Sequence, residues 1–123
     1  MKFHLQAPTG TLVTGTGPGW IRVGADEYRE GVVLLPEAVV RGFAPEGLDA
    51  LGAGDFAALL VHKPEIVLVG TGATQRFLSP RVLAPLTNAR VGVEMMDTRA
   101  ACRTFNILVG EGRRVAAALV MAV

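Results

Sequence analysis

Cys102 is the only cysteine of this 123-residue chain, which excludes an internal disulfide and any paired-cysteine metal motif. The chain is equally poor in other chemistry-bearing residues. His4 and His62 are its two histidines, and their separation lacks the i, i+3 or i, i+4 spacing of a helical metal site, so no metal is expected. Ser79 is the only serine and has no G-x-S-x-G context, which removes the nucleophile elbow of the α/β hydrolases.

Charge is scarce and balanced. A net charge of +1 with no basic block leaves nothing to neutralise successive phosphates, so nucleic acid is not an expected partner. The nearest basic cluster, Arg113-Arg114, is read as complementing a helix C-terminus. Long hydrophobic runs are missing too: the longest, Val115 to Val123, has nine residues, against the roughly 20 that span a bilayer. It is read as a buried strand, and the chain as not membrane-spanning. The opening Met1-Lys2-Phe3-His4-Leu5-Gln6 has neither the apolar core of a signal peptide nor the Arg and Ser content of a transit segment, so a cytoplasmic location is expected.

What is present is apolar and ordered. Half of the residues are apolar and 19% charged, a globular composition. Residues 1–123 are expected to form one domain that buries about two-thirds of its unfolded surface. No repeat interrupts it.

The pattern changes along the chain. Thr14 to Gly19 is turn-rich, Trp20 to Val23 alternates as a strand, and Gly24-Ala25-Asp26-Glu27 reads as a hairpin bend. The returning arm is expected to run from Tyr28 to Leu35, ended by Pro36, with a further strand over Val39 to Phe43. Asp55 is the expected cap of a short helix that stops near His62, before Pro64. Ile66-Val67-Leu68-Val69 is a continuous apolar run of the kind covered on both faces, ended by Gly70-Thr71-Gly72. Ser79 to Thr87 reads as a short helix with Pro80 near its start, distorted by Pro85 inside it. Val91 to Met95 is the next strand, Thr98 to Glu111 the strongest helix, and Val115 to Met121 the last strand. In that helix Ala101, Cys102, Phe105, Leu108 and Val109 form one apolar stripe, with Arg99 and Arg103 turned away. The expected fold class is α/β: three layers around a mostly parallel central sheet, extended or accompanied by the N-terminal strands.

Four segments together resemble one known family. They are Leu68-Val69-Gly70-Thr71-Gly72, Gly92-Val93-Glu94-Met95-Met96-Asp97-Thr98, Ala100-Ala101-Cys102-Arg103-Thr104-Phe105-Asn106, and Glu111-Gly112-Arg113-Arg114-Val115-Ala116-Ala117-Ala118-Leu119. The chain resembles the Mth938-like domains, also called DUF498, over nearly its whole length. The resemblance implies a compact α/β fold with a β-hairpin addition, found as a stand-alone protein in bacteria and archaea. It also implies kinship to a mitochondrial branch that acts in assembling respiratory complex I by binding partners. It supplies no catalytic residue and no cofactor.

Candidate sites follow from the residues themselves. Gly70-Thr71-Gly72 after a buried strand is either an anion-binding nest or a tight turn; Gln75 stands where a dinucleotide fingerprint needs its third glycine. Asp97 or Thr98 is the expected cap of the strong helix. Glu94, if its strand is interior, must enter a polar crevice, pair with Arg103 or Arg113, or carry a raised pKa. Cys102 is either a small buried hydrophobe or a thiolate favoured by the helix start and by Arg99 and Arg103, with His62 or His4 as a distant base. Trp20 is either a core or a contact residue. The preferred reading is a non-catalytic domain that binds another protein, with no cofactor. The alternative is an anion or small-molecule site at the strand ends, built from Gly70, Thr71, Gly72, Glu94, Asp97, Thr98 and Arg103. An edge strand of the N-terminal hairpin is also open to pairing with a second copy as a homo-oligomer.

Overall fold

The computed structural model describes residues 10–121; His4 lies outside them. Two sheets form. Strands β1 (Val13–Gly17), β2 (Trp20–Val23) and β3 (Asp26–Tyr28) make a small antiparallel meander in that order. Strands β4 (Val32–Leu35), β5 (Ala38–Arg41), β6 (Ile66–Thr71), β7 (Gly92–Met96) and β8 (Val115–Val120) make the main sheet, in the order β5-β4-β8-β6-β7. Within it β8-β6 and β6-β7 are parallel, and β5-β4 and β4-β8 antiparallel. The sheet is therefore mixed, because the short Pro36-Glu37 turn forces a hairpin where the two β-α-β crossovers force parallel pairing.

The central strands are apolar on both faces, as a twice-covered sheet requires. Val67 and Val69 of β6, Val33 and Leu35 of β4, and Ala116 and Ala118 of β8 face one core. Leu68, Val32, Leu34, Val115, Ala117 and Leu119 face the other. The first face is covered by helix α1 (Ala53–Ala57), the 3-10 turn Ala58–His62 that continues it, and α2 (Pro80–Asn88), through Phe56, Leu59, Leu83 and Leu86. The second is covered by α3 (Thr98–Gly110), through Ala101, Cys102 and Phe105, with Ile21 of β2 completing the layer. Phe105 is fully buried and contributes on the order of 2–3 kcal/mol by that burial.

Helix α3 shows why this stretch is so legible. Asp97 caps it by accepting a hydrogen bond from the Ala100 amide at 2.8 Å. Its end is a Schellman turn: Gly112, at φ 78°, donates to the Val109 carbonyl at 2.9 Å, and Arg113 donates to that of Leu108 at 3.0 Å.

Several expectations need correction. Thr14 to Gly17 lies in a strand, not a turn, because Gly17-Pro18-Gly19 alone suffices to reverse the chain. The arm from Tyr28 to Leu35 is not continuous: it breaks at Arg29-Glu30-Gly31, where the chain leaves the small sheet for the large one. The following strand spans Ala38–Arg41, and Phe43 instead enters the core after Gly42 turns at φ 85°. Gly52, not Asp55, caps α1; the Asp55 carboxylate accepts from the Gly52 amide at 2.8 Å from inside the first turn. Strand β6 continues through Gly70 and Thr71, which pair with β8 before the chain turns. Pro85 is accommodated within α2, whose nine residues stay helical.

Candidate functional site

Strands β6 and β7 end, and α3 begins, at one edge of the main sheet. Thr98 ties these ends together. Its buried hydroxyl accepts from the Gly72 amide at 2.9 Å and donates to the Val120 carbonyl at 2.5 Å, while its own amide donates to the Gly72 carbonyl at 2.9 Å. Gly70 permits this approach, since a Cβ there would lie 3.0 Å from Thr98 Oγ1 and 2.7 Å from Leu119 Cδ2. Thr71 Oγ1 donates to the Thr74 carbonyl at 2.7 Å and accepts from the Arg76 amide at 3.1 Å, which folds the following loop. Gln75 Nε2 then donates to the Met95 carbonyl at 3.0 Å, so the residue that breaks the dinucleotide pattern serves to fasten the loop to β7.

The small sheet supplies a facing wall. Asn106 of α3 behaves like a strand residue toward β1: its Oδ1 accepts from the Val13 amide at 2.9 Å and its Nδ2 donates to the Val13 carbonyl at 2.8 Å. Ile21 anchors the same sheet in the core beneath α3. Between wall and helix lies an open cleft of about 660 Å³, lined from the small sheet by Thr16, Pro18 and Trp20, from the start of α3 by Asp97, Arg99 and Arg103, and also by Gly72 and Met121. A volume of this order falls within the range of small-ligand clefts.

The structure gathers Gly72, Asp97, Thr98 and Arg103 around this cleft. It does not bring Gly70, Thr71 or Glu94 to it. The first two are strand residues whose groups are used internally, and the Gly72 amide is committed to Thr98; Gly70 is a close-packed strand end, and Gly72, at φ 100° with open space at its Cβ, makes the turn that follows. Glu94 is exposed on β7, which is an edge strand, so the crevice or ion pair expected of an interior carboxylate is not required. Arg113 pairs instead with Glu65, at 2.8 Å. Arg114 forks onto Glu37 at 3.0 and 3.2 Å and donates to the His62 carbonyl. The arginine pair thus clamps loops rather than capping a helix. The Arg114 hydrogen bond holds the Glu37 carboxyl below its ordinary range, and Arg113 does the same for Glu65. Stability from these pairs is present above the ordinary carboxylate pKa and lost as pH falls through the depressed one, a small effect at such exposed sites.

Cys102 is a core residue, 1% exposed, and burial pushes its thiol up to about 12. His62 is no base for it, since that residue sits by the start of β8, at the far end of the sheet from the start of α3. In the folded protein at pH 8 the thiol is expected to react with a chromogenic disulfide only as fast as the chain opens; immediate stoichiometric reaction would show that the thiol is exposed. At alkaline pH the unfolded chain releases this proton from about pH 9 while the folded one holds it to about 12. Stability is therefore lost across that window as pH rises, by up to about 1.4 kcal/mol per pH unit from this group.

Sequence reasoning missed the facing wall. Asn106 carried a weak signal, a short amide side chain in the otherwise apolar last turns of the helix from Phe105 to Gly110, but its partner Val13 is distant in the chain. Among the described residues no group of three or more His, Cys, Asp and Glu is gathered, and no helix is long and apolar enough to cross a membrane.

A family model described as a protein of unknown function, DUF498/DUF598, matches residues 13–120, which take in both sheets, all three helices and every cleft residue but Met121. The chain belongs to the DUF498/DUF598 family. Among the solved structures of similar proteins, a crystal structure from Bordetella parapertussis superimposes with a TM-score of 0.83 at 39% identity, covering 94% of this chain and 99% of that one. A solution structure from Bordetella pertussis, described as a Mth938-like domain, superimposes with a TM-score of 0.71 at 33% identity, covering 98% and 92%. The DUF498/DUF598 chain thus has the Mth938-like α/β fold. Among curated relatives, the mouse protein named NADH dehydrogenase [ubiquinone] 1 alpha subcomplex assembly factor 3 is 40% identical over 90 residues. That match covers 72% of this chain and 48% of the mouse protein, so the chain spans about half of that relative's length.

Proposed function

We propose that this domain works by binding proteins, as an assembly-type factor for an NADH dehydrogenase, and performs no reaction of its own. The observation that carries this reading is the 40% identity to the mouse assembly factor. The geometry supports it in a second way: the side chains best suited to chemistry are engaged structurally. Thr98 bridges two backbone groups, Asp97 caps α3, and the Cys102 thiol is buried. The second reading, a small-molecule or anion site at the strand ends, is favoured by the cleft that Gly72, Asp97, Thr98 and Arg103 border.

Deletion of the gene in the organism that encodes it, with its membranes resolved on native gels and stained for NADH dehydrogenase, tests the proposal. Loss of the full-size complex with accumulation of smaller assemblies, reversed by a plasmid copy, is the expected result. An unchanged complex would sink the assembly role.

A further inference from the structure

The cleft holds two arginines that no carboxylate pairs with, where five arginines elsewhere are paired. Arg29, Arg41, Arg76, Arg113 and Arg114 are each paired with a carboxylate, and Arg22 stacks over the Trp20 ring at 5.5 Å. Arg22, Lys63, Arg81, Arg90, Arg99 and Arg103 have no acidic partner among the described residues, and two of them, Arg99 and Arg103, line the same cleft. Asp97 is the one acid of the lining, so its single carboxylate against Arg99 and Arg103 leaves the cleft net positive.

The kind of anion follows from which donors remain. The Gly72, Thr98 and Ala100 amides, which a phosphate nest would need, are bonded within the chain. The remaining cationic donors are the guanidinium groups of Arg99 and Arg103, whose Cα atoms lie about one helical turn apart, about 6 Å along the axis of α3. In an extended polypeptide, side chains two residues apart lie on one face and are separated by about 6.6 Å. Carboxylates at alternate positions of a strand therefore match the spacing of the two arginines, and the exposed Pro18 ring and half-buried Met121 offer apolar surface beside them.

We propose that the cleft docks an acidic, extended segment of a protein partner, with carboxylates two residues apart on Arg99 and Arg103. The proposal rests on the protein-binding reading and names the chemistry of the partner.

A fluorescein-labelled heptapeptide with glutamate at alternate positions and valine between them is the probe, and anisotropy the readout. Saturable, salt-sensitive binding is expected, weakened about tenfold by Arg99→Glu or Arg103→Glu and unchanged by Arg81→Glu. Absence of saturable binding, or equal weakening by Arg81→Glu, would overturn the docking site. Inorganic phosphate displacing the probe as well as unlabelled peptide does would also overturn it, in favour of a small-anion site. Returning the folded Arg99→Glu/Arg103→Glu chain to the deletion strain separates the two proposals. Full rescue overturns the cleft as the docking place and leaves the assembly role standing, whereas a deletion strain with a normal complex removes the assembly role while the peptide measurement still judges the cleft.

Discussion

Alanine at Gly31 is expected to destabilise the fold by more than about 3 kcal/mol, enough to leave little folded protein. A Cβ at this position would lie 1.9 Å from the Phe43 carbonyl oxygen and 3.1 Å from that of Leu119, backbone atoms of the buried segment after β5 and of β8. The Gly31 carbonyl also accepts from the Gly42 and Phe43 amides at 3.1 and 3.0 Å, so the clash cannot be relieved without opening the crossing between the two sheets. Gly54 provides the control. It sits in α1 with open space where its Cβ would be, and Gly54→Ala is expected to stabilise by about 0.5–1 kcal/mol through the unfolded chain and the helix. Urea unfolding of both variants decides the matter: a Gly31→Ala midpoint close to the parent's would mean that the approach of these backbones is not needed.

Thr98→Val is expected to cost about 2–5 kcal/mol. The substitution nearly conserves shape but deletes both bonds of the hydroxyl, leaving the Gly72 amide and the Val120 carbonyl without that partner at the junction of β6, β8 and α3. Each unsatisfied buried group costs about 1–3 kcal/mol. Thr98→Ser keeps the hydroxyl and is expected to lose no more than about 1 kcal/mol, for the missing methyl. Hydrogen exchange adds a local readout, since the Gly72 amide should lose protection in the valine variant before the β4 amides do. Equal stability of the valine and serine variants would show that the hydroxyl does not hold the junction. Because Gly72 and Thr98 both border the cleft, loosening this junction is also expected to weaken whatever the cleft binds.

The second half of the chain was legible because its signals are local. Helix α3 has its cap, its apolar stripe and its Gly112 stop within one stretch, and β6 and β8 read as apolar runs because they are buried on both sides. The first half was harder to read for the opposite reason. Whether Tyr28 to Leu35 forms one strand or two depends on which sheet each end joins, and the switch is made by Gly31 packing against Phe43 and Leu119, remote in sequence. Glu94 illustrates the same limit at the site. Its strand looks like any other in the sequence, and only the strand order, which puts β7 at the edge, turns a suspected buried acid into a solvated one.

The sequence by itself determined the α/β class, the helix and strands of the C-terminal half, and the family, because periodicity, caps and motif residues are properties of neighbours along the chain. The cleft was decided only by the tertiary structure. It exists because Asn106 and the buried Ile21 hold the N-terminal meander against α3, bringing Thr16 and Pro18 opposite Arg99 and Arg103. No local pattern encodes that meeting, since its walls are some eighty residues apart in sequence and are joined by burial and backbone hydrogen bonds that form only when both sheets are in place.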